Sequence, residues 1–306
     1  MKSQIKTIAS SSLKGLSILL RGAADILTGI AQITDFIRIA HLDFVPRIDD
    51  IFIVTYPRSG TTWTQMILYQ LTTDGKMDFP HICQVSPWFE RLIVMGVMNA
   101  VELDMFPSPR VFKSHLSYKD MPKGPCKYIY VARNGKDVAV SYYHFYVSHL
   151  FFKGTFSDFF ERRFMPGKVK YESWFEHVAG WWAHKDDPNV LFLRYEDLIS
   201  DTEGGLRQII EFCGLDIPEE RFPDILERCS FDFMKAQEDK FDHITGLIWE
   251  KGYKQNSFLR KGRTGQGKLT LTPEQENQFE QRAKKYMNKI QGFKNMYNFL
   301  QKKPDN

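Results

Sequence analysis

The residues best placed by type and spacing to do chemistry lie between Tyr56 and Trp63, where the chain reads Tyr-Pro-Arg-Ser-Gly-Thr-Thr-Trp. Before them, Ile51 to Thr55 is an apolar, β-branched run that predicts a buried strand. After them, Thr64 to Leu71 predicts a helix with Met66, Ile67, Tyr69, Gln70 and Leu71 available for packing. A loop that runs from a strand onto a helix N-terminus points several backbone N–H groups at one spot, and the helix dipole adds positive potential there. Gly60 lets the backbone approach an anion closely. Ser59, Thr61 and Thr62 add hydroxyl donors, and Arg58 adds a fixed charge. The expected chemistry is the cradling of a phosphate-like anion. The loop is not of the ATP type, which needs Gly, four residues and then Gly-Lys-Ser/Thr. An ordinary strand-to-helix turn is the plainer reading of the same residues.

Other candidates are weaker one by one. Lys113 and His115 close the short run Arg110 to Leu116. A histidine in such a place is commonly structural, yet its unperturbed pKa also suits proton transfer at neutral pH. The basic loop Arg133-Asn134-Gly135-Lys136-Asp137 follows the apolar run Lys127 to Ala132. Residues 237–268 are poor in periodicity and rich in Lys, Arg and Gly, so they read as one long loop. Cys83, Cys126, Cys213 and Cys229 form no Cys-x-x-Cys and no close His/Cys cluster. That spacing argues against a structural zinc and a disulfide framework, and reduced thiols in a cytoplasmic enzyme are the plain expectation.

The elements that must position these residues follow one pattern. Strands are expected at Ile51 to Thr55, Arg110 to Leu116, Lys127 to Ala132 and Asn189 to Leu193, each feeding a loop and then helical sequence. Helical pattern covers Pro87 to Val101, Val138 to His149, Phe156 to Phe164, Trp174 to His184, Leu206 to Cys213, Pro218 to Cys229 and, as one or two helices, Pro273 to Leu300. Trp174, Phe175, Val178, Trp181 and Trp182 form an aromatic stripe that reads as core. Strand and helix in alternation imply an α/β fold, a single domain with a central parallel sheet flanked by helices. In such sheets ligands bind at the carboxyl ends of the strands, where all four motif loops fall. An apolar content of 43% is ample for a core, and a net charge of +4 is too mild for a protein that holds nucleic acid by bulk charge.

Taken together, the motifs resemble those of the cytosolic-type sulfotransferases, which use 3′-phosphoadenosine 5′-phosphosulfate (PAPS) as donor and leave 3′-phosphoadenosine 5′-phosphate (PAP). Tyr56 to Trp63 is similar to the family's 5′-phosphosulfate loop, Tyr-Pro-Lys-Ser-Gly-Thr-Thr-Trp, with Arg58 in place of lysine. Lys113-Ser114-His115-Leu116 resembles its Lys-Thr-His-Leu, which implies His115 as general base and Lys113 as a charge on the transferring group. Arg133 to Ser141 resembles its 3′-phosphate motif. Tyr195-Glu196-Asp197-Leu198 resembles the turn whose tyrosine lies by the nucleotide. Cys229-Ser230-Phe231 resembles the segment that sets a Phe against adenine, and Phe258-Leu259-Arg260-Lys261-Gly262 resembles the loop that closes on the 3′-phosphate. The resemblance therefore implies a 3′-phosphate site of Arg133, Ser141, Arg260, Lys261 and the Gly262 N–H, with adenine between Trp63 and Phe231. It implies no metal. Arg58 is expected to stabilise the leaving phosphate by charge alone, because an arginine with its ordinary pKa releases no proton.

The resemblance covers roughly residues 45–300. An aromatic-rich set, Phe79, Trp88, Phe89, Phe145, Tyr146, Phe151 and Phe152, suggests a small apolar alcohol, phenol or amine as acceptor. The family's dimer motif, Lys-x-x-x-Thr-Val-x-x-x-Glu, is matched at Lys268 and Thr272 but not at Pro273 and Asn277, which puts the usual dimer in doubt. Residues 1–40 stand apart from the domain of residues 41–306. From Leu13 to Ile39 apolar residues recur at helical spacing, with charges too frequent for a membrane span. This amphipathic helix either packs on the domain or a partner, or lies on a membrane surface. Two alternatives to a sulfotransferase remain: a P-loop kinase, and an inactive protein that binds PAP or PAPS.

Overall fold

The structure is a computed structural model that describes residues 44–94, 100–242 and 258–302. Its centre is a four-stranded sheet of β1 (Ile51–Thr55), β2 (Val111–Ser114), β3 (Lys127–Ala132) and β4 (Val190–Arg194). The order is β2-β1-β3-β4, and every neighbouring pair is parallel. β1 is buried along its whole length, as its run of apolar residues requires of a strand covered on both faces.

Side-chain alternation divides the core in two. Ile51, Ile53, Val111, Ile129, Val131 and Leu193 face one aliphatic cluster. Phe52, Val54, Phe112, Tyr128 and Tyr130 face an aromatic one. On that second face Phe52 stacks on Phe112 at 5.1 Å and on Tyr128 at 5.8 Å. Full burial of such a ring is worth about 1.5–3 kcal/mol. The expected stripe packs here too: Trp174, Phe175, Val178 and Trp181 are buried in this cluster, and Trp182 lies partly buried against it.

Helix α1 (Thr61–Thr72) follows β1 through the loop Tyr56 to Gly60, and ten of its side chains are buried between the sheet and its neighbours. Next come α2 (Phe89–Val94), α3 (Gly135–His149), α4 (Trp174–Trp182), α5 (Tyr195–Ser200), α6 (Phe231–Ala236), α7 (Gln266–Thr270) and α8 (Pro273–Lys289). Short helices at Thr202–Cys213 and Phe222–Arg228, and the closing helix Phe293–Gln301, complete the layers relevant here.

Several boundaries differ from the sequence reading. Pro87 and Trp88 are not helical. Trp88 instead bridges Lys113 in parallel, and α2 starts only at Phe89. α3 starts three residues early, because the Asn134 side chain accepts the Lys136 N–H and caps it. Likewise Asp201 caps the Thr202 helix, carrying it across Gly204 and Gly205, which as glycines weaken any helical pattern. Phe156 to Phe164 holds one short α turn and then a π-helical turn from Phe160. Pro218 to Cys229 divides into a 3₁₀ turn and the Phe222 helix. α5, α6 and α7 had no helical expectation at all. The expected amphipathic helix, Leu13 to Ile39, lies outside the described residues. Among the described residues no helix is long and apolar enough to cross a membrane.

Candidate active site

The carboxyl ends of β1, β2, β3 and β4 open into one cavity of about 1510 Å³. Nearly every residue named from sequence lines it: Arg58, Gly60, Thr61, Thr62, Trp63, Lys113, His115, Arg133, Ser141, Tyr195, Phe231, Arg260, Lys261 and Gly262. Ser59 lies fully buried beside them in the loop.

Gly60 sits at φ 102° and starts α1, with the Thr64 N–H donating to its carbonyl at 3.0 Å. Any Cβ there would meet the Tyr195 ring at 2.7 Å, so glycine is required both by backbone and by space. The Thr61 hydroxyl pairs with that of Thr55 at 2.6 Å. Ser59 Oγ is buried with no partner among the described residues, and so is Arg133 Nε. Buried donors left without a partner beside the cavity suit a polyanionic ligand.

His115 is buried, and its Nδ1 lies 2.8 Å from the Thr55 carbonyl. A carbonyl only accepts, so Nδ1 carries the proton and Nε2 keeps its lone pair. The His115 carbonyl accepts the His177 Nε2–H at 2.9 Å, and His177 Nδ1 in turn accepts from the Tyr130 hydroxyl at 2.9 Å. The expected unperturbed pKa is not found. Burial, and after it the charge of Lys113, lower the His115 value to about 3. The imidazole is therefore neutral throughout the neutral range, with Nε2 unprotonated.

Arg58 has a positive φ of 72°. Its guanidinium lies 5.2 Å from the Phe145 ring centroid and 4.9 Å from that of Phe258, and donates to Ser141 Oγ at 3.3 Å and to the Phe258 carbonyl at 2.9 Å. Its pKa is lowered to about 10, first by burial and then by Arg133 and Arg260, so the expectation of an ordinary arginine pKa needs correction. The group stays charged at neutral pH.

Arg133 joins the two loops across the cavity. It donates to the Arg58 carbonyl at 3.1 Å and to the Arg263 carbonyl at 3.0 Å, with its guanidinium 4.4 Å from the Tyr195 ring centroid. Burial and Arg133 lower the Arg260 pKa. Arg58, Arg133 and Arg260 crowd like charges against the carboxylate of Asp137, 3.8 Å from Arg133, a cost that a bound polyanion would relieve. Gly262, at φ 57°, lies against Phe231, whose ring a Cβ would meet at 2.4 Å. Trp63 donates its indole N–H to the Cys229 carbonyl at 2.8 Å and meets Tyr195 edge-on at 5.8 Å.

The acceptor-side set is only partly as expected. Trp88, Phe145 and Tyr146 line the cavity, joined by Tyr142, Leu150 and Tyr171. Phe79 instead packs on Tyr69 at 4.8 Å in the aliphatic core. Phe89 is fully buried against Phe52 and Phe112, Phe152 packs on the aromatic core, and Phe151 is half exposed. Sequence reasoning also missed Glu90 and the anchoring role of Asp137. Asp137 was visible within the Arg133 to Ser141 motif, whereas Glu90 had no signal beyond standing two residues after Trp88.

Comparison with known proteins settles the family. A profile of the sulfotransferase domain matches residues 48–291. The chain belongs to the sulfotransferase family. It is 39% identical to mouse Sulfotransferase 1 family member D1 over 248 residues, covering 78% of this chain and 83% of that one. It is 36% identical to rabbit amine sulfotransferase, covering 78% and 80%. Mouse sulfotransferase SULT7A1, solved as a complex with PAP, superposes with a TM-score of 0.66 at 28% identity, over 86% of this chain and 92% of that one. Membership removes the kinase alternative. This sulfotransferase keeps the α/β architecture of its relatives, with the four-stranded parallel sheet at its centre. Thr272, one half of the partial dimer motif, caps α8 in a capping box with Gln275.

Proposed function

We propose that this sulfotransferase moves a sulfuryl group from PAPS to a hydroxyl or amine of a small, largely apolar acceptor, with His115 as general base. The observation that carries the reading is the His115 tautomer. Nδ1 is spent on the Thr55 carbonyl, so the Nε2 lone pair is left for the acceptor. PAPS would supply the sulfuryl group and a phosphate leaving group. Thr61, Thr62, the backbone at Gly60 and the unpartnered Ser59 Oγ suit its 5′ end; Arg133, Ser141, Arg260, Lys261 and the Gly262 N–H suit its 3′-phosphate. Trp63 and Phe231 offer the adenine a pair of aromatic faces, with Tyr195 beside them.

In the transfer, His115 Nε2 takes the acceptor proton as the acceptor oxygen or nitrogen attacks sulfur in line with the departing phosphate oxygen. Lys113 and Arg58 hold positive charge near the moving negative charge. The aromatic part of the lining suits a phenol, an apolar alcohol or an apolar amine. Cytoplasmic residence accords with unpaired cysteines, and any contact of residues 13–39 with a membrane stays part of the proposal. The test is a panel of acceptors with labelled PAPS. Labelled acceptor with stoichiometric PAP supports the reading; no transfer to phenols, alcohols or amines overturns it.

A further inference from the structure

Glu90 is buried next to the base, and none of the roles above uses it. Its Oε1 accepts two hydrogen bonds, from the His115 backbone N–H at 2.9 Å and from the Trp88 indole N–H at 2.7 Å. Its Oε2 is buried with no partner among the described residues. Burying a carboxylate with one oxygen unsatisfied is costly, and an apolar side chain would avoid the cost. The cost is incurred where the acceptor wall meets the catalytic strand.

Further contacts tie Pro87 and Trp88 to the end of β2. The Lys113 N–H donates to the Pro87 carbonyl at 2.9 Å, and Trp88 bridges Lys113. Lys113 Nζ lies 4.4 Å from the centroid of the Trp88 ring, and that ring meets His115 edge-on at 5.2 Å. β2 ends at Ser114, so no strand pairing holds the His115 N–H. Glu90 Oε1 takes over where the ladder stops.

Resting on the sulfotransferase reading above, we infer that Glu90 is the positioning residue of the active site, a single oxygen that fixes the backbone of His115 and the ring of Trp88 in one geometry. Although Glu90 reaches the cavity lining, this role is exercised through His115 and Trp88. Displacing a base by about 1 Å can cost on the order of a hundredfold in rate. What matters is then where the accepting oxygen lies, not the charge it carries.

Two substitutions separate those possibilities. Glu90→Gln keeps an accepting oxygen at the same reach and removes the charge. Glu90→Asp keeps the charge and withdraws the oxygen by one methylene. The inference expects Glu90→Gln to retain kcat within about tenfold of the parent, and Glu90→Asp to fall about a hundredfold, with PAP affinity by calorimetry unchanged in both. Glu90→Asp faster than Glu90→Gln, or both at the parent rate, overturns it. So does a loss of PAP affinity in step with kcat, which would mark a general collapse of the site. Failure of the underlying reading looks different, since the parent itself would then transfer nothing from PAPS.

Discussion

At the scale of single residues, the site depends on groups whose protonation is fixed by their surroundings. His115→Ala should leave PAP affinity nearly unchanged and cut turnover by about 10²–10⁴-fold, the usual worth of a general base. Turnover within a few-fold of the parent would remove His115 from that role. Arg58 presents a different case. Its charge can meet the leaving phosphate, while its guanidinium also lies against the rings of Phe145 and Phe258. Lysine keeps the charge and can release a proton, but loses the planar guanidinium and its bond to the Phe258 carbonyl. Arg58→Lys should therefore keep PAPS binding and most or all of the turnover, whereas Arg58→Ala should be at least about tenfold slower than Arg58→Lys. Equal rates for the two variants in a steady-state assay would mean that arginine geometry, not charge, is what the reaction uses.

At the scale of elements, the loop bearing Arg260, Lys261 and Gly262 is held from outside itself. The Asp137 carboxylate, on the first turn of α3, accepts the Gly265 N–H at 2.7 Å and the Gly267 N–H at 2.6 Å. α7 is thereby clamped to α3, and Gly267 has no room for a Cβ, which would meet Lys136 at 2.5 Å. Asp137→Ala should release this clamp and weaken PAP by about ten- to a hundredfold, the range expected for hydrogen bonds to a charged group. Adenosine 5′-phosphate, which lacks the 3′-phosphate, should lose far less by the same calorimetric measurement. Equal loss for both nucleotides would show that α7 does not serve the 3′-phosphate. Such a clamp explains what the sequence could and could not disclose. The four strands were legible because short apolar runs such as Ile51 to Thr55 have few other uses. α7 was not, since it is five residues long and depends on a carboxylate more than a hundred residues away. Trp88 read as helix for a similar reason: its bridge to Lys113 is a tertiary contact that local periodicity does not encode.

At the scale of the whole molecule, the motif loops were legible as a set because a parallel sheet brings the ends of its strands together. The acceptor wall was not, because aromatic residues serve the core and the cavity alike: Phe89 and Phe145 have the same side chain, but one packs on Phe52 and the other faces Arg58. That same aromatic core makes the fold sensitive to acid. His115 and His177 are buried in their neutral forms, with pKa values lowered from 6.5 to about 3 and about 4, in each case chiefly by burial. Between those values and 6.5 the unfolded chain binds protons that the folded chain refuses, so stability must rise with pH across this window. It is fully present above about pH 6.5 and is lost as the pH falls toward 4 and 3. His144, also lowered by burial, adds in the same direction. His81 is shifted upward and acts oppositely, but near pH 5.5 it is protonated in both states and drops out. Thermal melts should thus decline steadily below pH 6.5. Near pH 5.5, where exposed carboxylates are still ionised, unfolding should take up about two protons. A melting temperature that is unchanged from pH 7 to 5 would mean that His115 is not held neutral by its burial, and the tautomer on which the catalytic reading depends would fall with it.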